Sequence, residues 1–90
     1  MRTIRYTSSF KKDFKRVKKR GENIDHLKTI ITLLAQGEPL PESCRDHKLS
    51  GGYSGLRECH LEPDWLLVYR YDGESELILT RTGTHSDLFK

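Results

Sequence analysis

The 90-residue sequence lacks most features of secreted, disulfide-stabilised or membrane-spanning chains. It contains only two cysteines, Cys44 and Cys59, and it has neither an apolar segment at the N-terminus nor a long apolar run. These absences argue against secretion and against a membrane span. We therefore expect a cytoplasmic protein that makes no contact with a membrane and whose thiols stay free in a reducing compartment.

Repeats, low-complexity segments and a large hydrophobic fraction are also lacking. Ninety residues with 34% hydrophobic content allow one compact core, near the lower end of the sizes that fold without disulfides or metals. We expect residues 1–90 to form a single domain.

Acidic residues are scarce at the front of the chain. Residues 1–20 hold nine Lys or Arg and one acid, Asp13, whereas the other 70 residues hold seven basic and twelve acidic groups. The local charge balance is therefore +8 at the front and −5 behind, which sums to the net charge of +3. This asymmetry favours a polyanionic partner that approaches the N-terminal face, although a solvated helix surface would show the same charges.

The apolar pattern of the first half predicts one strand followed by a helical hairpin. The strand is expected at 3–6, and a first helix is expected from a cap at Thr7 or Ser8 to about residue 20. Asn23 is placed to cap a second helix, and Gly37 lies where a glycine would end it. Prolines at 39 and 41 then predict a non-helical crossing segment over 38–46.

The second half changes to the two-residue period of strands. Strands are predicted at 47–49, 56–61, 65–71 and 76–82, with turns between them and a last helical turn at 85–89. The nearly all apolar or aromatic run at 65–71 predicts a central strand that is buried on both faces. The expected fold class is α+β: one strand, a helical hairpin, a four-stranded antiparallel meander and a short C-terminal helix, with the helices covering one sheet face and the other face open.

Side chains that exchange protons near neutral pH gather at the predicted strand ends. His60 and Asp64 flank a tight turn, so they can approach each other. Arg81 and His85 bracket the end of the last strand and can approach Asp64, because antiparallel neighbours bring the end of one strand beside the start of the other. His47 begins its own strand and can lie beside His60.

These residue types suit cleavage of RNA by its own 2′-hydroxyl, which attacks the adjacent phosphorus and leaves a 2′,3′-cyclic phosphate. Imidazoles can remove the first proton and supply the last one, and an arginine can neutralise the phosphorane oxygens. The aromatic rings of Tyr53, Trp65 and Phe89 are candidates for stacking on bases. Each residue also has a plain structural interpretation, as a solvated histidine, a turn aspartate or a core tryptophan.

A zinc site is the metal-binding alternative, since Cys44, His47, Cys59 and His60 are suitable ligand types. Cys59 and His60 are neighbours on a predicted strand and therefore point to opposite faces, which hinders both from binding one ion. We expect neither a metal nor another cofactor.

The run from Asp46 onward resembles the YafQ branch of the RelE-type toxins of bacterial toxin–antitoxin pairs. The motifs that carry the resemblance are DHKLSG at 46–51, RECHLEPDWLLVY at 57–69 and RTGTHSDLF at 81–89. The basic helix and the helical hairpin also agree in placement, so the resemblance spans essentially the whole chain.

The resemblance implies a ribosome-dependent endoribonuclease, an mRNA interferase that enters the vacant A site and cuts messenger RNA without metal. Its implied partners are the 70S ribosome, mRNA and a cognate antitoxin of the DinJ type with a ribbon-helix-helix fold. The antitoxin complex represses its own operon, so operator DNA is bound only through it. The family's functional positions fall on unsubstituted residues here: His47, His60, Asp64, Trp65, Arg81, His85 and Phe89.

We expect His85 to be the general acid, Asp64 or His60 the base and Arg81 a ligand of the scissile phosphate. His47 is expected to bind the phosphate or to position the substrate. The basic helix is expected to bind ribosomal RNA, with contacts from Lys11, Lys15 and Lys18. Two other functions stay open. A ParE-like toxin shares the fold but inhibits DNA gyrase, and the set of histidines with Asp64 argues against it; a non-catalytic nucleic-acid-binding module would need the basic helix alone.

Overall fold

The computed structural model describes residues 1–51 and 55–89, and these residues form a five-stranded sheet with helices packed against one face. The strands are β1 (Thr3–Tyr6), β2 (His47–Lys48), β3 (Arg57–Glu62), β4 (Trp65–Asp72) and β5 (Glu76–Gly83). The helices are α1 (Ser8–Lys19), α2 (Ile24–Gln36) and α3 (His85–Leu88), and a short 3-10 helix spans Glu42–Cys44.

The strand order across the sheet is β1-β5-β4-β3-β2. Strands β2 to β5 form the predicted antiparallel meander, and β1 joins its edge by pairing parallel to β5. The sequence analysis did not predict that parallel pairing. It is possible because the helical hairpin and the strands that follow give the long crossover that parallel neighbours need.

Both long helices begin and end where the sequence predicts. The side chain of Thr7 accepts a hydrogen bond from the Phe10 N–H at the start of α1, and that of Asn23 accepts from the His26 N–H at the start of α2. Gly37 ends α2 with φ +74, a left-handed conformation that costs glycine least. No helix within 1–51 and 55–89 has both the length and the apolar content needed to cross a membrane.

The central strand is buried on both faces, as predicted. Leu67 and Tyr69 belong to the core beneath the helices, and both are 0% exposed. Leu66 and Val68 point to the other face, because side chains alternate along a strand, and they are buried too. The expectation of a bare second face is therefore wrong near β4: Val68 pairs with Glu58 on one side and with Arg81 on the other.

The crossing segment is anchored to the sheet just before β2. The carboxylate of Asp46 accepts from Nη2 of Arg57 at 3.0 Å and from the hydroxyl of Tyr69. Burial and the hydrogen bond to Asp46 raise the pKa of that hydroxyl, so it stays protonated and continues to donate. This contact sets where β2 starts and so where His47 lies. The predicted turn at 50–55 falls partly outside the described residues, since 52–54 and Lys90 are not among them.

Candidate active site

Three histidines from three elements lie in a row at one end of the sheet. The ring centroids of His47 and His60 are 6.4 Å apart, and those of His60 and His85 are 5.8 Å apart. The pairing of β2 with β3 places His47 opposite Glu58, and His60 points to the same face because it is two residues further along the strand. The structure thus brings together the histidines that the sequence analysis selected.

Asp64 holds the third histidine in place. It lies in the tight turn between β3 and β4, and its Oδ1 accepts from the backbone N–H of His85 at 3.0 Å and lies 2.6 Å from His85 Nδ1. The hydrogen bonds from the His85 backbone and then from its ring lower the pKa of Asp64. With Nδ1 donating to this carboxylate, Nε2 of His85 is the nitrogen left to exchange a proton.

His47 has an acceptor at each ring nitrogen. Its Nδ1 lies 2.6 Å from the carbonyl oxygen of Arg45, and its Nε2 lies 3.1 Å from Glu58 Oε2. Arg45 has φ +48, the one positive φ of a non-glycine residue among the described positions. Both contacts are hydrogen bonds only when both nitrogens carry protons, so the geometry suits a cationic imidazole.

His60 lies between the other two histidines. Its Nδ1 is buried and has no hydrogen-bond partner within the part of the chain that the structure describes. Beside His60 and His85 opens a cavity of about 570 Å³, which is also lined by side chains that the sequence analysis did not select: His26, Ser43, Arg45 and Glu62. A cavity of this size is within the range of small-ligand sites.

Arg81 is held by an acid that the sequence analysis did not assign to the site. Its Nε and Nη2 donate to the carboxylate of Asp13 at 2.6 and 3.2 Å, and this hydrogen bonding raises the pKa of Arg81. Asp13 is 3% exposed. The sequence signal that could have identified Asp13 is its spacing, because Asp13 falls on the same helical stripe as the buried Phe10 and Val17.

The aromatic residues that were predicted to stack on bases differ in their surroundings. Trp65 is 1% exposed, and its Nε1 donates to Thr82 Oγ1 at 3.0 Å. The prediction that Trp65 stacks on a base is therefore wrong, because its ring faces the core. Phe89 is half-buried at the end of α3, so its role stays a prediction. Tyr53 lies outside the described residues.

The remaining predicted residues concern the basic helix and metal binding. Lys11, Lys15 and Lys18 are exposed on α1. Both cysteines are buried with free thiols, and burial raises the pKa of Cys59. Within 1–51 and 55–89, no group of three or more His, Cys, Asp or Glu side chains is arranged to hold a metal ion.

Comparison with known proteins assigns this arrangement to a family. The model of the family described as bacterial toxin of type II toxin-antitoxin system, YafQ, matches residues 2–90. The chain belongs to the YafQ family. The mRNA interferase toxin YafQ of Escherichia coli strain K12 is 42% identical over 89 residues, which are 98% of this chain and 96% of that toxin.

Two solved structures show the same fold. The toxin in the crystal structure of the E. coli DinJ-YafQ complex matches with a TM-score of 0.91 at 41% identity and covers 100% of both chains. A metal-bound toxin from Helicobacter pylori matches with a TM-score of 0.93 at 43% identity, covering 99% of this chain and 100% of that one. The family fold thus extends over the chain.

Asp87 fixes the short helix that carries His85. Its carboxylate accepts from the Thr84 N–H at 2.9 Å and from Arg20 Nη1 at 2.7 Å, while Thr84 Oγ1 accepts from the Asp87 N–H. The Arg20 hydrogen bond is the main cause that lowers the pKa of Asp87. A carboxyl whose folded pKa lies below its unfolded value stabilises the protein above the unfolded value and loses that contribution as pH falls.

Asp87→Asn should therefore lower the free energy of unfolding at pH 7 by about 1–2 kcal/mol, through loss of the cap and of a charge-assisted hydrogen bond. The difference from the wild type should shrink as pH falls below about 4, the unfolded value for Asp. Urea unfolding at several pH values measures this. Asp72→Asn, at an exposed carboxylate, is the control and should show little change; a pH-independent loss for Asp87→Asn would contradict the assignment.

Proposed function

We propose that this protein is an mRNA interferase that cuts message in the ribosomal A site without metal, by attack of the RNA 2′-hydroxyl on the adjacent phosphorus. The observation that carries the proposal is the Asp64–His85 contact of 2.6 Å at one end of the row of three histidines. The name of the E. coli relative, an mRNA interferase toxin, supports the cutting of message.

His85 is the general acid in this proposal. An ionised Asp64 on Nδ1 stabilises the imidazolium and directs the proton on Nε2 outward, where it can pass to the leaving 5′-oxygen. The ring is half exposed, with 53% of the side chain accessible, so a strand of RNA can reach it. Proton delivery of this kind accelerates reactions by about 10²–10⁴-fold.

His60 is the better of the two candidates for the base. Asp64 already accepts two hydrogen bonds from His85, and its lowered pKa makes it a weaker base. His60 is flanked by both other histidines and borders the 570 Å³ cavity. It can remove the 2′-hydroxyl proton while Asp64 keeps its orienting role.

Two cations remain for the phosphate. His47 has acceptors at both nitrogens and presents a positively charged ring when both nitrogens carry protons. Arg81 presents the part of its guanidinium that Asp13 does not occupy. Charges fixed in advance stabilise a phosphorane better than mobile ones, because they need no reorganisation during the reaction.

The basic helix supplies the ribosome contact in this proposal. The exposed Lys11, Lys15 and Lys18 give α1 a positive face that suits the phosphates of ribosomal RNA. A cytosolic setting follows from that substrate. Because the E. coli relative was solved as a DinJ-YafQ complex, we also propose a DinJ-like antitoxin as the inhibitor, with operator DNA bound only through the antitoxin complex.

The rival functions explain less of the site. A gyrase-inhibiting toxin and a passive nucleic-acid-binding module both account for the fold or the basic helix, but neither requires a histidine oriented by a carboxylate. Unchanged supercoiling by gyrase in the presence of the protein would exclude the first rival, and cutting of RNA would exclude the second.

His85→Ala should reduce cleavage of ribosome-bound message by about 10²–10⁴-fold, because the leaving oxygen loses its proton donor. Ribosome binding should be unchanged. Primer extension on messages in stalled ribosomes measures the first quantity, and co-sedimentation measures the second. Asp72→Asn removes an exposed carboxylate outside the site and should cleave at the wild-type rate; wild-type cleavage by His85→Ala would exclude the general-acid role.

Charge reversal at Lys11, Lys15 and Lys18 should weaken ribosome binding and flatten its salt dependence, since each phosphate contact adds about 0.7–0.9 to the slope of log K against log salt. Sedimentation across a salt series measures both. The single variants Lys15→Glu and Arg70→Glu change the net charge by the same amount, but Arg70 is exposed on β4 and not on α1. Arg70→Glu is therefore the control for net charge. Equal effects of these two single variants would show that α1 makes no specific contact.

A further inference from the structure

The carboxylate of Asp13 is the buried centre of the contact between α1 and β5. It is 3% exposed and accepts four hydrogen bonds: Arg81 Nε at 2.6 Å, Arg81 Nη2 at 3.2 Å, Arg16 Nη2 at 2.7 Å and the Thr82 N–H at 3.2 Å. Four donors occupy essentially all the lone pairs that two carboxylate oxygens offer. Asp13 therefore has no free acceptor position with which to bind substrate itself.

The contact uses one edge of the Arg81 guanidinium. Nε and one hydrogen of Nη2 point to Asp13, so Nη1 and the second hydrogen of Nη2 form the remaining edge. An arginine without this contact would sample several rotamers, because its side chain carries considerable conformational freedom. With 35% of the Arg81 side chain accessible, the free edge can meet an anion while the other edge stays fixed.

The charges leave Arg81 able to attract a phosphate. Asp13 contributes one negative charge and is shared between Arg81 and Arg16, so the group of three retains one net positive charge. Arg16 Nε also lies 3.9 Å from Asp87 Oδ2 of α3, so a second carboxylate partly neutralises the charge of Arg16. The group of three therefore still attracts an anion, and the free edge of Arg81 offers hydrogen-bond donors to it.

We propose that Asp13 is a positioning residue for the reaction: it holds Arg81 from α1 so that Nη1 and Nη2 face the scissile phosphate. This inference rests on the proposed function, in which Arg81 binds that phosphate. It assigns a role in the chemistry to the single acid of the basic N-terminal segment. It also makes α1 both a candidate ribosome-binding element and the support of an active-site cation.

The test is a double-mutant cycle with Asp13→Asn and Arg81→Ala in the full chain, measured as cleavage of A-site message on programmed ribosomes. Asp13→Asn keeps the side-chain size but replaces one acceptor oxygen with a donor that opposes the guanidinium. It should reduce kcat about 10–100-fold, as displacement of a reacting group does, with KM for programmed ribosomes unchanged. In the Arg81→Ala background, the same substitution should cause no further loss.

That non-additivity is the readout that a merely structural role would not produce. Circular dichroism and urea unfolding establish the folded fraction, and Asp72→Asn, which removes an exposed carboxylate, is the matched control. The proposal would be overturned if the double mutant lost kcat by the product of the two separate fold losses. A loss by Asp13→Asn that equals its loss of folded protein would also overturn it.

Arg81→Lys tests the inference even if Asp13→Asn does not fold. A lysine keeps the charge, but a single ammonium group cannot occupy Asp13 and present a second edge to phosphate; we expect a 10–100-fold loss of kcat here as well. Cleavage by Arg81→Lys or Arg81→Ala at the wild-type rate would overturn the role of Asp13 and leave the mRNA interferase proposal standing. Absence of cleavage by the wild-type protein would instead overturn the proposed function.

Discussion

The double contact between Asp64 and His85 is the constraint on which the site depends. One carboxylate oxygen binds both the backbone N–H and Nδ1 of the same histidine, so it fixes the position of the residue and the orientation of its ring together. It also joins the hairpin turn after β3 to the helix after β5. Together with the contacts of Asp87 to Thr84 and Arg20, it holds the C-terminal helix of four residues at the end of the sheet.

The other two basic side chains predicted for the site each contact an acid from a different element. Glu58 on β3 contacts His47, and Asp13 on α1 contacts Arg81. These acids are mostly buried, with exposed fractions of 7% and 3%. Their burial protects these two contacts from solvent screening, whereas Asp64 is exposed. In the proposed reaction, an anionic RNA backbone would meet basic side chains that are already fixed in position.

The sequence predicts most of this arrangement wherever a structural feature depends on residues that are close in the chain. The two-residue period located the strands, and antiparallel pairing placed His60, Asp64 and His85 together because hairpin geometry leaves little freedom. Capping residues at 7, 23 and 84 located the helix starts. Boundaries were less accurate at β2, which is only His47–Lys48, where 47–49 was predicted.

What could not be predicted depends on contacts between distant segments. Asp13 and Arg81 are 68 residues apart, and nothing local indicates that they meet. The burial of Trp65 depends on a hydroxyl 17 residues away, at Thr82. One of the two acceptors around His47 is the carbonyl of Arg45, whose backbone has a positive φ. Periodicity indicates which face a residue occupies, but not which partner it will have there.

Attack by the RNA's own 2′-hydroxyl is the central claim, and a single substitution in the message tests it most directly. The message would carry one 2′-deoxynucleotide at the A-site cleavage position and would be programmed into ribosomes beside an all-ribose copy. The account predicts that the all-ribose message is cut to a 2′,3′-cyclic phosphate and that the deoxy message stays intact. Cutting of the deoxy message at the same position would contradict it.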